Sequence, residues 1–355
     1  MNNNIIALLP DVLLPWYDEN KRDLPWRFDR DPYHVWLSEI MLQQTRVEAV
    51  KGYYSRFLTA VPNVKQLALT DDSELEKLWE GLGYYSRVRN LKRAAIQIME
   101  NHGGVFPESY EKIIKLPGIG DYTAGAICSI AFDLPTPAVD GNVLRVISRL
   151  INDDTPIDNP LFKKQVRESL AQIYPKRAGD FTQALMELGA TVCKPNGRPE
   201  CDICPCRLFC AAKKAKTVMN LPVRMPKRAR RVEEMTVMIL HCDGRYALQR
   251  RPEKGLLAGL WQFPNVTGKR TLNEIILHLE ESGIYTTEIK LQVERKHIFT
   301  HVEWQMSGVF FDVSEAKNCF EWFTPEQIRS EAALPTAFRI FWDEVESVDM
   351  RKTDT

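Results

Sequence analysis

At 355 residues the chain has the length of about two domains, and its apolar share of 44% is enough for two packed cores. Its 47 basic residues balance its 47 acidic residues, which excludes a uniformly basic or acidic protein and leaves only local patches to attract a polyanion. No stretch approaches the roughly 20 apolar residues of a membrane span, and Asp11 and Pro15 interrupt an N-terminal run that lacks signal-peptide features. We expect a folded, cytoplasmic protein that does not enter a membrane.

Residues 5 to 190 show helical periodicity. Leu37, Ile40 and Met41, for example, recur at three- and four-residue steps. We find no alternating strand pattern in this half, and proline and glycine punctuation divides it into helices of ordinary length. The first half is therefore expected to be mainly α-helical.

The stretch LPGIGDYTAG, residues 116 to 125, has the features of a tight turn between two helices. We expect Gly118 and Gly120 to supply unusual backbone angles there. Such a turn directs backbone N–H groups toward the start of the next helix, where they could bind a phosphate oxygen. The glycines alone favour the simpler alternative, a plain connector between helices.

The eight cysteines are unevenly spaced, and such clustering in a chain without secretory features favours metal over disulfides. Three follow C-x2-C-x5-C spacing, and a fourth lies seven residues upstream. A zinc ribbon would pair two C-x2-C knuckles, and only one is present. Four thiolates in one loop can instead hold a [4Fe–4S] cluster. The candidate ligands are Cys193, Cys201, Cys204 and Cys210. Cys206 lies too close to Cys204 to be an easy further ligand.

Composition changes after the cysteines. Residues 211–231 are rich in Lys and Arg with two prolines and no acid, so they form either a solvated linker or a polycation that lies along phosphates. Beyond them, short segments rich in β-branched and aromatic residues surround one helical pattern near residues 271–283. These features predict a smaller α+β domain. We place a helical domain at 1–212, a basic linker at 213–232, the second domain at 233–345 and a tail at 346–355.

Several motifs occur together and in a fixed order: SEIMLQQTRVEAV, EGLGYYSRVRNL, LPGIGDYTAGAI, AVDGNVLRV, ELGATVC and the cysteine run. This combination resembles the helix-hairpin-helix, iron–sulfur DNA glycosylases, specifically the MutY-type adenine DNA glycosylases. The match extends from about Asp23 to Cys210, with a second block near the C-terminus.

The resemblance implies a mainly α helix-hairpin-helix glycosylase region with a [4Fe–4S] loop, plus a C-terminal α+β Nudix-like domain. It implies a monomeric, DNA-associated base-flipping enzyme. Its substrate would be double-stranded DNA in which adenine is mispaired with 8-oxoguanine or guanine. By the same resemblance Gly118 and Gly120 belong to a DNA-phosphate clamp.

Cleavage of the N-glycosidic bond builds positive charge on the sugar, so the site needs a proton donor for the base and an anion near the ribose. By resemblance Glu39 protonates adenine at N7, Asp140 stabilises the sugar cation, and Asn142 helps to hold Asp140 and water. From the residues alone, Glu39 would lie on a solvated helix face and Asp140 would be a helix N-cap. Asn142 would be an ordinary first-turn polar residue.

Tyr122 distinguishes two kinds of chemistry. In the related endonuclease III-type enzymes, which also cut the backbone, a lysine at this position attacks the sugar as an amine. A phenol cannot form a Schiff base, so Tyr122 implies a glycosylase without strong lyase activity, with its ring at the adenine pocket. Without the resemblance it would be a hairpin core residue.

Two further groups of residues match positions with roles in the family. The adenine-pocket candidates are Arg22, Leu24, Trp26, Arg27 and Gln183. The residues expected to probe or wedge into the duplex are Gln44, Thr45, Leu82 and Tyr84. The alternatives are a helix-entry packing cluster for the first group and loop packing for Leu82 and Tyr84.

In the C-terminal domain, GLLAGLWQFPNV and HIFTHVEW resemble the family's Nudix-like 8-oxoguanine recognition module. Phe299, Thr300 and His301 fall on its Phe-Ser-His loop, with threonine replacing serine. The alternatives are a core aromatic at a strand end and a surface histidine.

The sequence departs from the family in the seven-residue gap after Cys193, where six is usual, and we expect the loop to bulge without moving the later ligands. Two rival functions stay open. The C-terminal domain could hydrolyse nucleotide pyrophosphates, although no arginine–glutamate pair precedes Glu280 and Glu281. The protein could also be a non-catalytic DNA-binding scaffold, which the presence of both Glu39 and Asp140 disfavours.

Overall fold

A computed structural model describes residues 3–226 and 229–353. By contacts between residues the chain divides into two compact units. The first comprises Met1–Leu69 and Arg89–Pro226, and the second comprises Thr70–Val88 and Lys227–Thr355. The first is helical and the second is α+β, which confirms the expected fold class.

The described residues before 227 contain helices and no strand. The helices are α1 (Asn3–Ile6), α2 (Leu9–Asn20), α3 (Pro32–Leu42), α4 (Val47–Ala60), α5 (Val64–Leu69), α6 (Asp72–Leu78), α7 (Ser86–His102), α8 (Tyr110–Ile113), α9 (Asp121–Phe132), α10 (Gly141–Ile151), α11 (Pro160–Ala171), α12 (Ala178–Glu187) and α13 (Ala211–Ala215). Pro25–Arg27 and Val218–Asn220 form 3-10 turns, and Leu188–Val192 forms a π-helical turn directly after α12. No helix among the described residues is long and apolar enough to cross a membrane.

The core of the first unit determines where the ends of α10 and α12 lie. Leu13 of α2, Ile147 of α10 and Leu185 of α12 are fully buried in one apolar cluster. The side chain of Asp140 accepts a hydrogen bond from the Val143 amide and so caps the N-terminus of α10. The capping role expected from the sequence is present, and it fixes Asp140 at the start of a buried helix.

The hairpin between α8 and α9 uses its two glycines differently. Gly118 has φ +77°, and a Cβ there would lie 2.6 Å from Cβ of Asn90. Gly120 has φ −102° and ψ 177°, ordinary extended backbone, and a Cβ there would meet nothing within 4 Å. The prediction of unusual angles is therefore right for Gly118 and wrong for Gly120. Gly120 leaves open the N-terminus of α9, where no side chain provides a cap.

The second unit is built on one mixed sheet. Its strands are β1 (Arg231–Cys242), β2 (Arg245–Arg250), β3 (Trp261–Gln262), β4 (Asn265–Thr267), β5 (Thr286–Ile298), β6 (Val302–Val313) and β7 (Glu321–Phe323). The order is β3-β2-β1-β6-β5, with β4 beside β1 and β7 beside β2. Only the β1–β6 pairing among the described strands is parallel. Alternate side chains of β1 and β6 enter two apolar clusters, one on each face of the sheet.

The helices of the second unit are α14 (Leu272–Glu281), α15 (Pro325–Ser330) and α16 (Thr336–Thr353). The helix predicted near 271–283 is α14, and Thr271 and Glu274 form a capping box at its start. The expectation of one helix is wrong, since α15 and α16 also occur. The expected tail at 346–355 is helical as far as Thr353, and its last two residues lie outside the described residues.

The basic segment expected as a linker is partly packed onto the first unit. Arg149 donates to the backbone oxygen of Leu221 at 2.9 Å, and Ile157 N donates to Val223 O at 3.0 Å. Lys227 and Arg228 lie outside the described residues, and Arg231 already belongs to β1.

Candidate active site

The first unit contains a cleft with about 1620 Å³ of empty space, part of which is open to solvent. It brings together residues from the ends of α3, α9, α10 and α12. The predicted site residues that line it are Arg22, Leu24, Trp26, Arg27, Glu39, Gln44, Thr45, Gly120, Tyr122, Asp140, Asn142 and Gln183. Their proximity could not be read from spacing along the chain, because they span more than 160 positions.

Glu39 lies in the cleft wall with only 6% of its surface exposed. Burial raises the pKa of its carboxyl from 4.5 to about 7, a hydrogen bond from Tyr122 works in the opposite direction, and the nearby charge of Asp140 adds to the increase. The Tyr122 hydroxyl donates this bond to Oε2 of Glu39. The solvated helix face that spacing alone favoured for Glu39 is therefore wrong, and a carboxyl of this kind is partly protonated near neutral pH.

Asp140 is held by groups that favour its ionised form. Asn142 Nδ2 donates to Oδ2 of Asp140 at 2.7 Å, and the Val143 amide donates to Oδ1 at 2.8 Å. Burial nevertheless raises the pKa of Asp140 overall, although these two hydrogen bonds and the charge of Arg145 act in the opposite direction. The two carboxyls of the cleft thus have different surroundings: Glu39 accepts from one phenol, and Asp140 accepts from an amide side chain and a helix N-terminus.

Glu187 is a cleft residue that the sequence analysis missed. It is fully buried, and it binds Arg22 through Nε at 2.6 Å and Arg27 through Nη2 at 2.7 Å. The two arginines outweigh the effect of burial and lower its pKa. No spacing pattern links position 187 to positions 22 and 27, so the sequence carried no signal for this contact.

Arg145 is a second missed residue. It donates to Oδ1 of Asn142 at 2.7 Å, to the Gly189 oxygen at 2.7 Å and to the Cys193 oxygen at 2.8 Å. A signal did exist, because Arg145 interrupts the apolar run of α10 and only 3% of it is exposed. Arg145 therefore joins the Asp140–Asn142 pair to the backbone at the first cysteine of the loop.

The remaining predicted pocket residues differ in exposure. Leu24 and Trp26 are 2% and 7% exposed, and the Trp26 ring packs edge-on against Tyr54 at 5.6 Å, so they contribute to the core as well as to the cleft wall. Gln44 is exposed and has φ 59°, a left-handed conformation that is uncommon for a residue other than glycine. Its side chain is accessible, as a duplex contact requires.

The predicted lesion-contact residues of the second unit lie on two loops. Phe299, Thr300 and His301 form the turn between β5 and β6, where the Phe299 ring packs against Trp304 at 4.8 Å and the other two are exposed. Tyr84 is 46% exposed and Leu82 is 6% exposed. Tyr84 is accessible to a duplex, whereas Leu82 is packed inside the unit.

The five clustered cysteines line one cavity. It encloses about 410 Å³ of empty space, part of it open to solvent, and Val146, Leu150, Leu188 and Val192 form its apolar wall. Arg149, which is 4% exposed, donates to Sγ of Cys193 at 3.2 Å. Lys213 donates to the backbone oxygen of Cys201 at 3.2 Å. The guanidinium that faces the Cys193 sulfur suits a thiolate ligand.

No group of three or more His, Cys, Asp or Glu side chains among the described residues is placed to hold a single metal ion. A single zinc ion needs all its sulfurs within about 2.3 Å of one point, whereas a four-iron cluster is larger and binds one thiolate at each corner. The sulfur donors and the buried guanidinium suit such a cluster. Cys206 is completely buried in the cavity wall. The ligand assignment itself stays a prediction.

The geometry of the cleft supports acid-assisted cleavage of a bond that leaves a positive charge on one of the two fragments. Glu39 can release a proton near neutral pH, and Asp140 can present a negative charge. No lysine lines the described part of this cleft. A nucleophilic amine is thus missing from its described wall.

Comparison with known proteins agrees with this architecture. Residues 37–176 match the model of the HhH-GPD superfamily of base excision DNA repair proteins, and residues 235–344 match that of the NUDIX domain. The adenine DNA glycosylase of Rattus norvegicus is 34% identical over 397 aligned positions, covering 93% of this chain and 77% of the relative. That of Mus musculus is 35% identical over 398 positions with the same coverage.

A solved thermostable thymine-DNA glycosylase has a TM-score of 0.54 and 28% identity, covering 60% of this chain and 97% of its own. The resemblance to adenine DNA glycosylases in the sequence motifs is thereby confirmed. With both parts of its architecture matched, and with relatives above 30% identity aligned over 77% of their length, the chain belongs to the adenine DNA glycosylase family.

Proposed function

We propose that the protein removes adenine from duplex DNA where adenine is mispaired with 8-oxoguanine or guanine, and that it does so by hydrolysis without strong lyase activity. The observation that carries the chemistry is the pair of carboxyls that line one open cleft, the buried Glu39 and the partly buried Asp140. Family membership supports adenine as the base that leaves.

The first step of the proposed reaction is proton transfer. A base flipped into the cleft presents its ring nitrogens to the wall that carries Glu39. Because the pKa of Glu39 is about 7, a substantial fraction of this carboxyl is protonated at neutral pH and can donate to adenine N7. Protonation makes adenine a better leaving group, so the glycosidic bond breaks with its electron pair leaving on the base.

The second step is stabilisation of the sugar cation. Asp140 presents its carboxylate, held by Asn142 and by the α10 N-terminus, toward the developing charge. The released base carries the proton of Glu39, and the Glu39 carboxylate that remains can accept a proton from the attacking water. The products are free adenine and an abasic site.

Tyr122 supports the monofunctional part of the proposal. Its hydroxyl donates to Glu39, so this residue fixes the acid rather than attacking the sugar. Breaking the DNA backbone through a Schiff base would need an amine in the cleft. We therefore expect no covalent enzyme–DNA adduct after borohydride reduction.

We propose that Cys193, Cys201, Cys204 and Cys210 hold a [4Fe–4S] cluster, with Cys206 as a buried wall residue. When bound, the cluster would supply iron–thiolate bonds that close the cysteine loop, and a centre able to exchange one electron. Arg149 would offset the negative charge of the thiolates through its contact with Cys193.

The test uses single-turnover assays on three duplexes that contain 8-oxoguanine:adenine, guanine:adenine or thymine:adenine. We expect adenine release from the first two, fastest from the first, and strand breaks only after alkali treatment. Equal rates on all three duplexes would overturn the mispair specificity, and strand breaks without alkali would overturn the monofunctional assignment. Separately, purified protein without absorption near 400 nm, about where iron–sulfur centres absorb, would contradict the cluster.

A further inference from the structure

The segment Thr70–Val88 lies within residues 37–176, which match the glycosylase family model, yet it packs as part of the second unit. Its contacts begin with Lys77 at the end of α6. Lys77 Nζ donates to the backbone oxygens of Ile328 and Ala332, each at 3.1 Å, and pairs with Glu80 at 2.7 Å. Lys77 thus satisfies carbonyls at the C-terminal end of α15.

Glu80 completes this contact. Its Oε1 accepts from the Leu334 amide at 3.1 Å and pairs with Arg339 of α16 at 3.0 Å, and its side chain is 8% exposed. A carboxylate this deeply buried, with two cations and one amide as partners, fixes the position of the chain that carries it.

The loop that follows Glu80 is held by side-chain contacts to its backbone. The indole of Trp79, fully buried, donates to the Gly83 oxygen at 3.1 Å. Arg87 donates to the oxygens of Leu82 and Gly83 at 2.9 and 3.0 Å. These bonds hold Tyr84 in a left-handed conformation with φ 49°.

The result is a direct contact between the two predicted lesion-contact loops. The hydroxyl oxygens of Tyr84 and Thr300 lie 2.8 Å apart, at hydrogen-bond distance, although the residues are 216 positions apart in the chain. Both side chains are exposed, so this bond lies at the surface that would face DNA.

We propose that Lys77 and Glu80 are positioning residues for lesion discrimination: by fixing α6 on the ends of α15 and α16, they place Tyr84 against Thr300. This inference rests on the proposed function, because it concerns preference for 8-oxoguanine over guanine opposite adenine. Neither residue lines the proposed catalytic cleft.

The experiment measures single-turnover rates on 8-oxoguanine:adenine and guanine:adenine duplexes for wild type, Lys77→Met and a matched control, Lys65→Met. Methionine keeps the aliphatic stem of Lys77 and removes its donors, and Lys65 is an exposed lysine of α5. We expect Lys77→Met to lower the ratio of the two rates about three- to tenfold, the worth of one hydrogen bond. The guanine:adenine rate should stay within about twofold, and Lys65→Met should leave both unchanged.

A second comparison separates positioning from general stability. In a Tyr84→Phe background the contact with Thr300 is already lost, so Lys77→Met should lower the ratio no further. If Lys77→Met does not fold, Glu80→Gln provides the same readout, since glutamine keeps the acceptor for Leu334 and loses the ion pairs.

The outcomes are distinct. A wild-type protein that releases adenine from neither duplex would overturn the proposed function, and equal wild-type rates on the two duplexes would overturn the positioning role. A wild-type preference that persists in Lys77→Met or Glu80→Gln would overturn only the positioning role. The positioning role would also be overturned if Lys77→Met lowered the rate ratio by the same factor with and without Tyr84→Phe.

Discussion

The proposed catalytic cleft of the first unit and the predicted lesion-contact loops of the second are built in opposite ways. In the cleft the important group, Glu39, is buried, and burial gives it its chemistry by raising the pKa. At the loops the important groups, Tyr84 and Thr300, are exposed neutral hydroxyls whose positions depend on backbone conformation. Bond cleavage should therefore be sensitive to charge and pH, and discrimination to backbone geometry.

The largest expected effect is on bond cleavage. Glu39→Gln removes the proton donor and nearly preserves shape, so the single-turnover rate of adenine release should fall by about 10² to 10⁴. The loss should be the same on 8-oxoguanine:adenine and guanine:adenine duplexes, because Glu39 acts on the leaving base. Glu48→Gln, at an exposed glutamate of α4, is the matched control and should leave both rates unchanged. A loss confined to one duplex would show that Glu39 contributes to discrimination as well as to bond cleavage.

The next effect is on stability. The pKa of Glu39 is raised from 4.5 to about 7 in the folded protein, so between these pH values the native state holds a proton that the unfolded chain releases. This contribution to the free energy of unfolding is complete below pH 4.5 and is lost as pH rises through about 7, on the order of 3 kcal/mol in all. Glu39→Gln should lack it, and chemical denaturation at pH 5 and pH 8 measures the difference. Relative to wild type, the free energy of unfolding of the variant should be more favourable at pH 8 than at pH 5. An equal difference between the two proteins at both pH values would contradict the burial of Glu39.

The hairpin tests whether backbone conformation also governs a loop of the first unit. Gly118→Ala should destabilise the protein by about 1–3 kcal/mol, because it combines left-handed strain with a clash against Asn90. Gly120→Ala should change the free energy of unfolding by less than about 0.5 kcal/mol, since its backbone is extended and its surroundings are open. Equal costs at the two positions would show that the hairpin is not shaped by Gly118 alone.

The smallest expected effect is on the pH dependence of excision. Tyr122→Phe removes the hydrogen bond that lowers the pKa of Glu39, so that pKa should rise above its present value of about 7. The pH at which the excision rate is half lost on the alkaline side should move upward. A pH–rate profile under single-turnover conditions measures it, and a downward shift would mean that Tyr122 stabilises the protonated carboxyl instead.

Local features of the fold could be predicted from the sequence. The helices of the first half follow from apolar spacing, and the capping of α10 by Asp140 and of α14 by Thr271 follows from residue type. The strands of the second unit follow from β-branched and aromatic runs. These features depend on residues a few positions apart, which is the range that a pattern can report.

Contacts across long separations could not be predicted in this way. Glu39 has the spacing of a solvated residue and is buried, because the walls that cover it come from α9, α10 and α12. Glu187 has two arginine partners more than 150 positions away. The prediction for Gly120 is wrong for a related reason. Its residue type indicates an unusual φ, but the chain adopts an ordinary extended conformation there.

The packing of Thr70–Val88 also bears on how the chain folds. Lys77 and its acceptor Ala332 are 255 positions apart, and Glu80 and Leu334 are 254 apart. During synthesis from the N-terminus, Lys77 and Glu80 must wait for α15 and the chain that follows it before they find these partners. The second unit is thus completed by a piece of chain made some 250 residues earlier. A nascent chain that stops before α15 would leave Lys77 and Glu80 without their partners in the second unit, so that this segment of the glycosylase half would be a candidate site for proteolysis.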